Sequence, residues 1–268
     1  MTYTKAKNLD EALTLMGSYS EPILICGSTD IALQLKKKKN ESHLIDISAL
    51  DELAYIKKNT HAIEIGALST INDILYNQDI QTHLPLLNAV SNLFASHQIR
   101  NLATIGGNIA NASPVADLIA PLIVLNATLT LSSKEGQRVI KLEDLFCGYK
   151  CTKLNHEIIH SIHIPIQEHL WYYRKVGSRE RLSISKVSLA IIKTDDTYYI
   201  SGASLNPYSS RFRHLEALLN QNICSDNAIK EALEKDIHPS GSLRSTKEYR
   251  KHVTFNMIKE ALVKFNAS

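Results

Sequence analysis

The sequence predicts an α+β fold in two domains that meet near residue 166. Three observations carry this. Ile23-Leu24-Ile25-Cys26, then Gly27-Ser28-Thr29-Asp30, then Ile31-Ala32-Leu33-Gln34-Leu35 read as strand, small-residue turn and helix. Pro165 closes a strand that starts near Ile158, and the pattern changes after it. Beyond it, three strand-like runs (Leu170 to Val176, Ile184 to Lys193, Thr197 to Leu205) precede helical runs at 211–220, 226–234 and 247–265. Strands followed by helices imply an antiparallel sheet backed by helices. The expected division is 1–165, itself in lobes of about 1–55 and 56–165, and then 166–268.

The elements follow in order. Leu9, Ala12, Leu13 and Met16 keep a helical period, and Asn8 with Glu11 has the spacing of a capping box. His43 to Ile47 is a second strand. Ala54-Tyr55-Ile56 and His61 to Ile65 flank the polar turn Lys57 to Thr60 and read as a hairpin. Thr70 and Asp73 mark a helix start, and Leu86, Leu87, Val90, Leu93 and Phe94 form an amphipathic helix. Ala127 to Leu131 and Val139 to Leu142 are strands around Lys134-Glu135-Gly136-Gln137, and Asp195-Asp196 turns between the last two strands.

Composition excludes several classes. Of 268 residues, 44% are hydrophobic and 21% charged, the balance of an ordinary globular chain. A net charge of +3, with no Arg-rich face interleaved with aromatics, argues against nucleic acid. The basic run Lys36 to Lys39 reads as a solvated helix end. No stretch approaches the roughly 20 apolar residues of a membrane span, and Met1 to Lys5 precede no apolar signal core. The expected location is cytoplasmic. Cys26, Cys147, Cys151 and Cys224 are too sparse for a disulfide framework or a metal cluster and are expected as free thiols.

Two stretches carry chemistry. The turn Cys26 to Asp30 precedes a helix, so unpaired N–H groups there, with the Ser28 and Thr29 hydroxyls, can meet an anion. The alternative is a plain strand–turn–helix connection; neither the dinucleotide fingerprint nor the P-loop spacing is present. The second stretch, Thr104 to Asp117, pairs Gly106 with Gly107 beside Asn108. Paired glycines admit positive φ and close approach to a ligand. Thr104 and Asn108 can hydrogen-bond phosphate or polyol oxygens, Asp117 can accept from a hydroxyl, and Asp117 stands where an apolar helix would begin. The alternative is a tight structural turn.

The two stretches together resemble the FAD-binding subunit, or domain, of the molybdenum hydroxylases: xanthine dehydrogenase, aldehyde oxidoreductases and aerobic carbon monoxide dehydrogenase. The family pattern A-G-G-T-D-L is similar to Cys26-Gly27-Ser28-Thr29-Asp30-Ile31. The pattern Q-I-R-N-x-x-T-I-G-G-N-I-x-x-A-S-P-x-x-D-L is matched by Gln98 to Leu118 almost without gaps. Ile65-Gly66-Ala67, Glu157 to Pro165, Lys175 to Val187, Leu243-Arg244-Ser245 and Tyr249-Arg250 resemble further family motifs in order.

The resemblance implies a two-lobed FAD-binding domain of the covalent-flavin, PCMH-type superfamily, followed by a small sheet-and-helix domain. It places Cys26 to Ile31 on the FAD pyrophosphate. It places Thr104, Gly107, Asn108 and Asp117, with Gly106 and Ser113 of the same motif, along the diphosphate, ribityl and flavin end. It puts Phe94 and Ala95 near the adenine part, and Ile159 and Lys175 at the adenine or the flavin edge, although residue by residue Phe94 and Ile159 read equally as core and Lys175 as a solvated cation. It implies an oxidoreductase subunit that passes electrons from [2Fe-2S] clusters through FAD to NAD+ or another acceptor, with the clusters and the molybdopterin centre on partner subunits. No side-chain acid–base pair or metal ligand is expected on this chain, and His160 and His163 read as solvated or interface residues. Two residues depart from the pattern: Cys26 replaces a small apolar residue, and Ser28 replaces the second glycine, where a Cβ disfavours a glycine-only backbone angle. Cys26 falls at the pyrophosphate end, so FAD is expected to be noncovalent. The rival readings are a flavin-binding assembly subunit without turnover and a stand-alone flavin oxidoreductase.

Overall fold

A computed structural model describes residues 2–35, 42–180, 182–195 and 197–267; the basic run at 36–39 and the second residue of the Asp195-Asp196 turn lie outside them. Three hydrophobic cores organise the chain.

The first lobe is a three-stranded parallel sheet in which β3 (His43–Asp46) lies between β1 (Thr2–Lys5) and β2 (Pro22–Ile25). Parallel strands need a crossover, and α1 (Leu9–Ser18) supplies the one between β1 and β2, burying Ala12, Leu13 and Met16 against Ile45, Ile47 and Leu53. Asn8 caps α1 by accepting from Glu11 N at 2.8 Å, but Glu11 accepts from Lys7 N rather than closing the box on Asn8. Strand β1 escapes the periodicity because it has no buried face to imprint one. The short helix α2 (Ile31–Leu35) follows β2 after the turn at 26–30.

The second lobe contains a five-stranded antiparallel sheet of β4 (Ile56–Lys58), β5 (Ala62–Gly66), β10 (Ile158–Pro165), β6 (Thr128–Ser133) and β7 (Gly136–Lys141), in that spatial order. Between β5 and β6 the chain makes six short helices: α3 (Ile71–Tyr76), α4 (Gln78–His83), α5 (Pro85–Leu93), α6 (His97–Arg100), α7 (Ile105–Ala110) and α8 (Ile119–Val124). Thr70 and Asp73 form a complete capping box on α3. The amphipathic faces of α3 and α5 (Ile71, Ile74, Leu86, Leu87, Val90) join Ile63, Ile65, Leu129, Leu131 and Ile162 in one core. After β7, a small hairpin of β8 (Phe146–Gly148) and β9 (Cys151–Thr152) intervenes before β10. The expectation of four free thiols is corrected here. The hairpin sets Cys147 and Cys151 facing, with Cα atoms 5.3 Å apart, and they form a disulfide; Cys26 and Cys224 are free.

The last segment is the antiparallel meander β11 (Leu170–Val176), β12 (Val187–Thr194) and β13 (Thr197–Ala203), then α9 (Arg213–Leu219), α10 (Asp226–Asp236) and α11 (Lys247–Asn266). Leu189, Ile191 and Ile200 face these helices through Phe212, Leu215, Ile258 and Phe265. Ala190 and Ile192 point the other way into the core of the second lobe, where α8 packs across β12 and β13. The sheet is therefore covered on both faces, which is why Val187 to Ile192 are all buried rather than alternating. Strand β12 starts at Val187, so Ile184, read as strand from its sequence, falls in the connection before it. No helix among the described residues is long and apolar enough to cross a membrane.

Candidate functional site

The three lobes meet around one cleft of about 840 Å³, lined by the turn after β2, the segment from Phe94 to Asp117, and Lys150, Lys175 and Leu182 to Ser185. That volume lies in the upper part of the roughly 300–1,000 Å³ range of small-molecule and cofactor sites.

The turn at 26–30 is pressed against the second lobe. A Cβ on Gly27 would stand 1.7 Å from the Leu102 carbonyl oxygen, so only glycine fits. Ser28 has φ 54°, the left-handed region that favours glycine. Its hydroxyl donates to the Cys26 carbonyl at 3.1 Å, and its own carbonyl accepts from Ala32 N at 3.3 Å. Serine thus holds, at some conformational cost, a left-handed turn conformation that glycine would adopt freely. Asp30 accepts from Gln34 Nε2 at 2.5 Å, and the same amide reaches Asn111 Oδ1 at 3.4 Å, tying the first lobe to α7. Cys26 is half-buried, and desolvation raises its thiol pKa, which disfavours the thiolate.

The glycine pair acts differently from its expected role. Gly106 and Gly107 lie inside α7, and neither adopts positive φ. Their smallness serves packing instead. A Cβ on Gly106 would stand 2.7 Å from both Cβ and the carbonyl oxygen of Ala67, and one on Gly107 would stand 2.9 Å from Thr104 Oγ1. Thr104 is the N-cap of α7 and accepts from Gly107 N at 3.1 Å, which leaves its hydroxyl proton to donate. Gly106 is buried in this packing and does not line the cleft; Gly107 does.

Asp117 also departs from its expected role as a helix start. Helix α8 begins at Ile119 without a side-chain cap, and Asp117 turns to Lys175, with Oδ2 to Nζ at 2.6 Å and side-chain exposures of 12% and 10%. Burial raises the Asp117 pKa in spite of the ammonium beside it. The other oxygen, Oδ1, is buried without a partner, as is Asn108 Oδ1. Buried acceptors are nearly always satisfied, so two orphaned oxygens on one cleft wall mark a surface shaped for a hydrogen-bond donor.

Phe94 and Ala95 form the wall at the end of α5, with Ala95 at φ 38°. Arg100 holds this wall: Nη1 donates to the Phe94 carbonyl at 3.0 Å, and Nε donates to Asn72 Oδ1 at 3.2 Å. Arg100 is a support whose position in the Gln98–Asn101 motif signals importance without disclosing that role. The structure brings Cys26 to Ile31, Phe94, Ala95, Thr104, Gly107, Asn108, Ser113, Asp117 and Lys175 to the cleft. It does not bring Ile159 there: that side chain, on β10, is 5% exposed and packs in the second lobe's core. His160 and His163, on the same strand, bond Ser132 and Thr130 rather than lining the cleft. Sequence reasoning missed Lys150, Gln34, Asn111 and Leu182 to Ser185. The last four lie inside the Lys175–Val187 motif, where a long polar connection between two strands was the available signal.

Comparison with known proteins places the chain among flavin-binding relatives. Residues 1–167 match the family described as the FAD binding domain in molybdopterin dehydrogenase. The chain is 31% identical over 264 residues to the glyceraldehyde dehydrogenase medium chain of Sulfolobus acidocaldarius, covering 94% of this chain and 93% of that one. It is 30% identical to the xanthine dehydrogenase FAD-binding subunit of Escherichia coli, covering 97% and 94% respectively. Among solved structures, a carbon monoxide dehydrogenase from Hydrogenophaga pseudoflava superposes with a TM-score of 0.90 at 28% identity, covering 98% of this chain and 96% of that one.

Proposed function

Since this chain belongs to the family of the FAD binding domain in molybdopterin dehydrogenase, we propose that it is the FAD-binding subunit of a heteromeric molybdenum hydroxylase. In this reading it works beside an iron–sulfur subunit and a molybdopterin subunit in the cytoplasm and delivers electrons to NAD+ or another acceptor. The observation that carries the reading is the convergence of the 26–31 turn and the 104–117 segment on one cleft that holds two orphaned buried acceptors.

The residues fit FAD. Gly27 keeps the turn flush against Leu102, so its backbone N–H groups and the Thr29 hydroxyl are held at one edge of the cleft for a diphosphate, while the Ser28 hydroxyl is spent on the Cys26 carbonyl. The Thr104 hydroxyl proton is available to a phosphate or ribityl oxygen. Asn108 Oδ1 and Asp117 Oδ1 would accept from ribityl hydroxyls or a ring N–H. Phe94 and Ala95 offer the apolar wall for the adenine. Lys175, through Asp117, fixes the charge of the opposite wall. FAD bound here supplies a two-electron redox centre, and the protein contributes position and electrostatics. Cys26 sits at the diphosphate edge, and burial disfavours its reactive thiolate; both favour noncovalent binding.

Co-expression with the two partner subunits tests the role. The purified complex should contain FAD that is reduced anaerobically by the organic substrate only when the iron–sulfur subunit is present. NADH should also reduce it if NAD+ is the acceptor. A lone chain that oxidises an organic substrate at the full rate of the complex would replace this reading with that of a stand-alone oxidase.

A further inference from the structure

Among the described residues the cleft wall carries two cations. Lys175 is committed to Asp117, whereas no ion pair or hydrogen bond engages the Lys150 ammonium among the described residues. FAD is anionic, so the Lys150 ammonium is available to balance it. Lys150 sits at the tip of the β8–β9 hairpin with φ 50°, a left-handed conformation that costs a lysine free energy unless its surroundings impose it. What imposes it is on either side: Cys147 and Cys151 close the turn Gly148-Tyr149-Lys150 through their disulfide.

Both cysteines are exposed, as are Tyr149 and Lys150. The hairpin root is anchored independently. Phe146 is buried and stacks on Tyr208 at 6.2 Å, and Lys153 N donates to the Leu145 carbonyl at 2.8 Å. Opening the disulfide would therefore free the tip and leave the fold intact. A disulfide with a sequence separation of 4 constrains the unfolded chain little, so stability is a weak reason for it. Exposed disulfides are the ones reductants reach.

We propose that the Cys147–Cys151 disulfide is a redox latch on cofactor binding: closed, it holds Lys150 in the cleft wall as a counter-charge for FAD; opened, it releases Lys150 and lowers FAD affinity. A dithiol reductant supplies the two electrons and two protons that convert the S–S bond to two thiols, and itself closes to a cyclic disulfide. The latch rests on the FAD reading of the cleft.

The test is FAD titration of the full apo-chain, air-oxidised and then reduced with dithiothreitol, with thiol alkylation and mass spectrometry reporting the state of each cysteine. Reduction should weaken binding about two- to fivefold, the loss expected for a partly exposed charge interaction. Lys150→Met should bind weakly in both states with no response to reductant, and the Cys147→Ser/Cys151→Ser variant should bind like the reduced chain throughout. Equal affinity in both states, a Lys150→Met variant that keeps the response, or free thiols at 147 and 151 in the oxidised chain would each overturn the latch while leaving FAD binding intact. Absence of FAD binding in either state would overturn the FAD reading and the latch with it.

Discussion

Gly27→Ala is expected to reduce FAD affinity by at least an order of magnitude and to lower the melting temperature of the chain. The added Cβ would fall 1.7 Å from the Leu102 carbonyl oxygen and 2.5 Å from its carbon, both backbone atoms that no side-chain rotation can move aside. Either the 26–30 turn lifts off the second lobe or the 102–104 segment retreats, and each displaces a wall of the cleft. Overpacking of this kind costs about 1–3 kcal/mol in stability. The binding loss exceeds what the stability cost alone would give, because the turn and Thr104 are displaced relative to each other. Flavin fluorescence titration and a thermal melt on the same preparation separate the two effects. A Gly27→Ala chain with normal affinity would show that the 26–30 turn does not hold the cofactor.

Lys175→Met is expected to be more destabilising than any other single change at the cleft, about 3–5 kcal/mol at neutral pH, because it strands a buried carboxylate. The sign of its pH dependence follows from burial. The Asp117 pKa is already raised by desolvation, and the Lys175 ammonium is what opposes the rise. Removing the ammonium raises it further. A carboxyl whose folded pKa lies above its unfolded value contributes stability at low pH that is lost as pH rises through the folded pKa. The variant should therefore recover stability relative to wild type as pH falls from neutral into the acid range. Asp117→Asn/Lys175→Met should recover most of the loss at all pH values, since no charge is left to bury. Urea unfolding from mildly acid to neutral pH checks this, and a Lys175→Met deficit that stays constant across that range would contradict it.

Much of this arrangement can be read from the residues. The strand–turn–helix at 23–35, the capping box at Thr70, the hairpins around 57–60 and 134–137 and the C-terminal meander all have local causes, and local causes leave periodic or turn signatures. The cleft residues are legible as two motif-bearing stretches, but their convergence is not: it depends on Gly27 meeting Leu102, a contact between residues 75 apart in sequence. Gly106-Gly107 misleads for a definite reason. Glycine disfavours helix by about 1 kcal/mol, so the pair reads as a turn, yet close packing on Ala67 and the Thr104 cap override that preference and make it helical. Ile159 differs in the opposite way: its motif resembles the family's, but its place on β10 sends it into the core rather than the cleft. The Cys147–Cys151 link was hidden because a C-x-x-x-C spacing does not fix Cβ directions, which the β8–β9 hairpin does. The second face of the C-terminal sheet was hidden because its cover, α8, comes from the other side of residue 166.

The central claim is that the cleft between the three lobes binds FAD noncovalently through the 26–31 turn and the 104–117 segment. The direct measurement is a titration of the full apo-chain with FAD, followed by acid precipitation, performed on wild type and on Gly107→Val, whose enlarged side chain would crowd the Thr104 hydroxyl. The account predicts saturation at one FAD per wild-type chain, release of all the flavin into the acid supernatant, and no retention by Gly107→Val. Unsaturable binding by wild type, flavin that stays with the precipitate, or normal stoichiometry in Gly107→Val would contradict it.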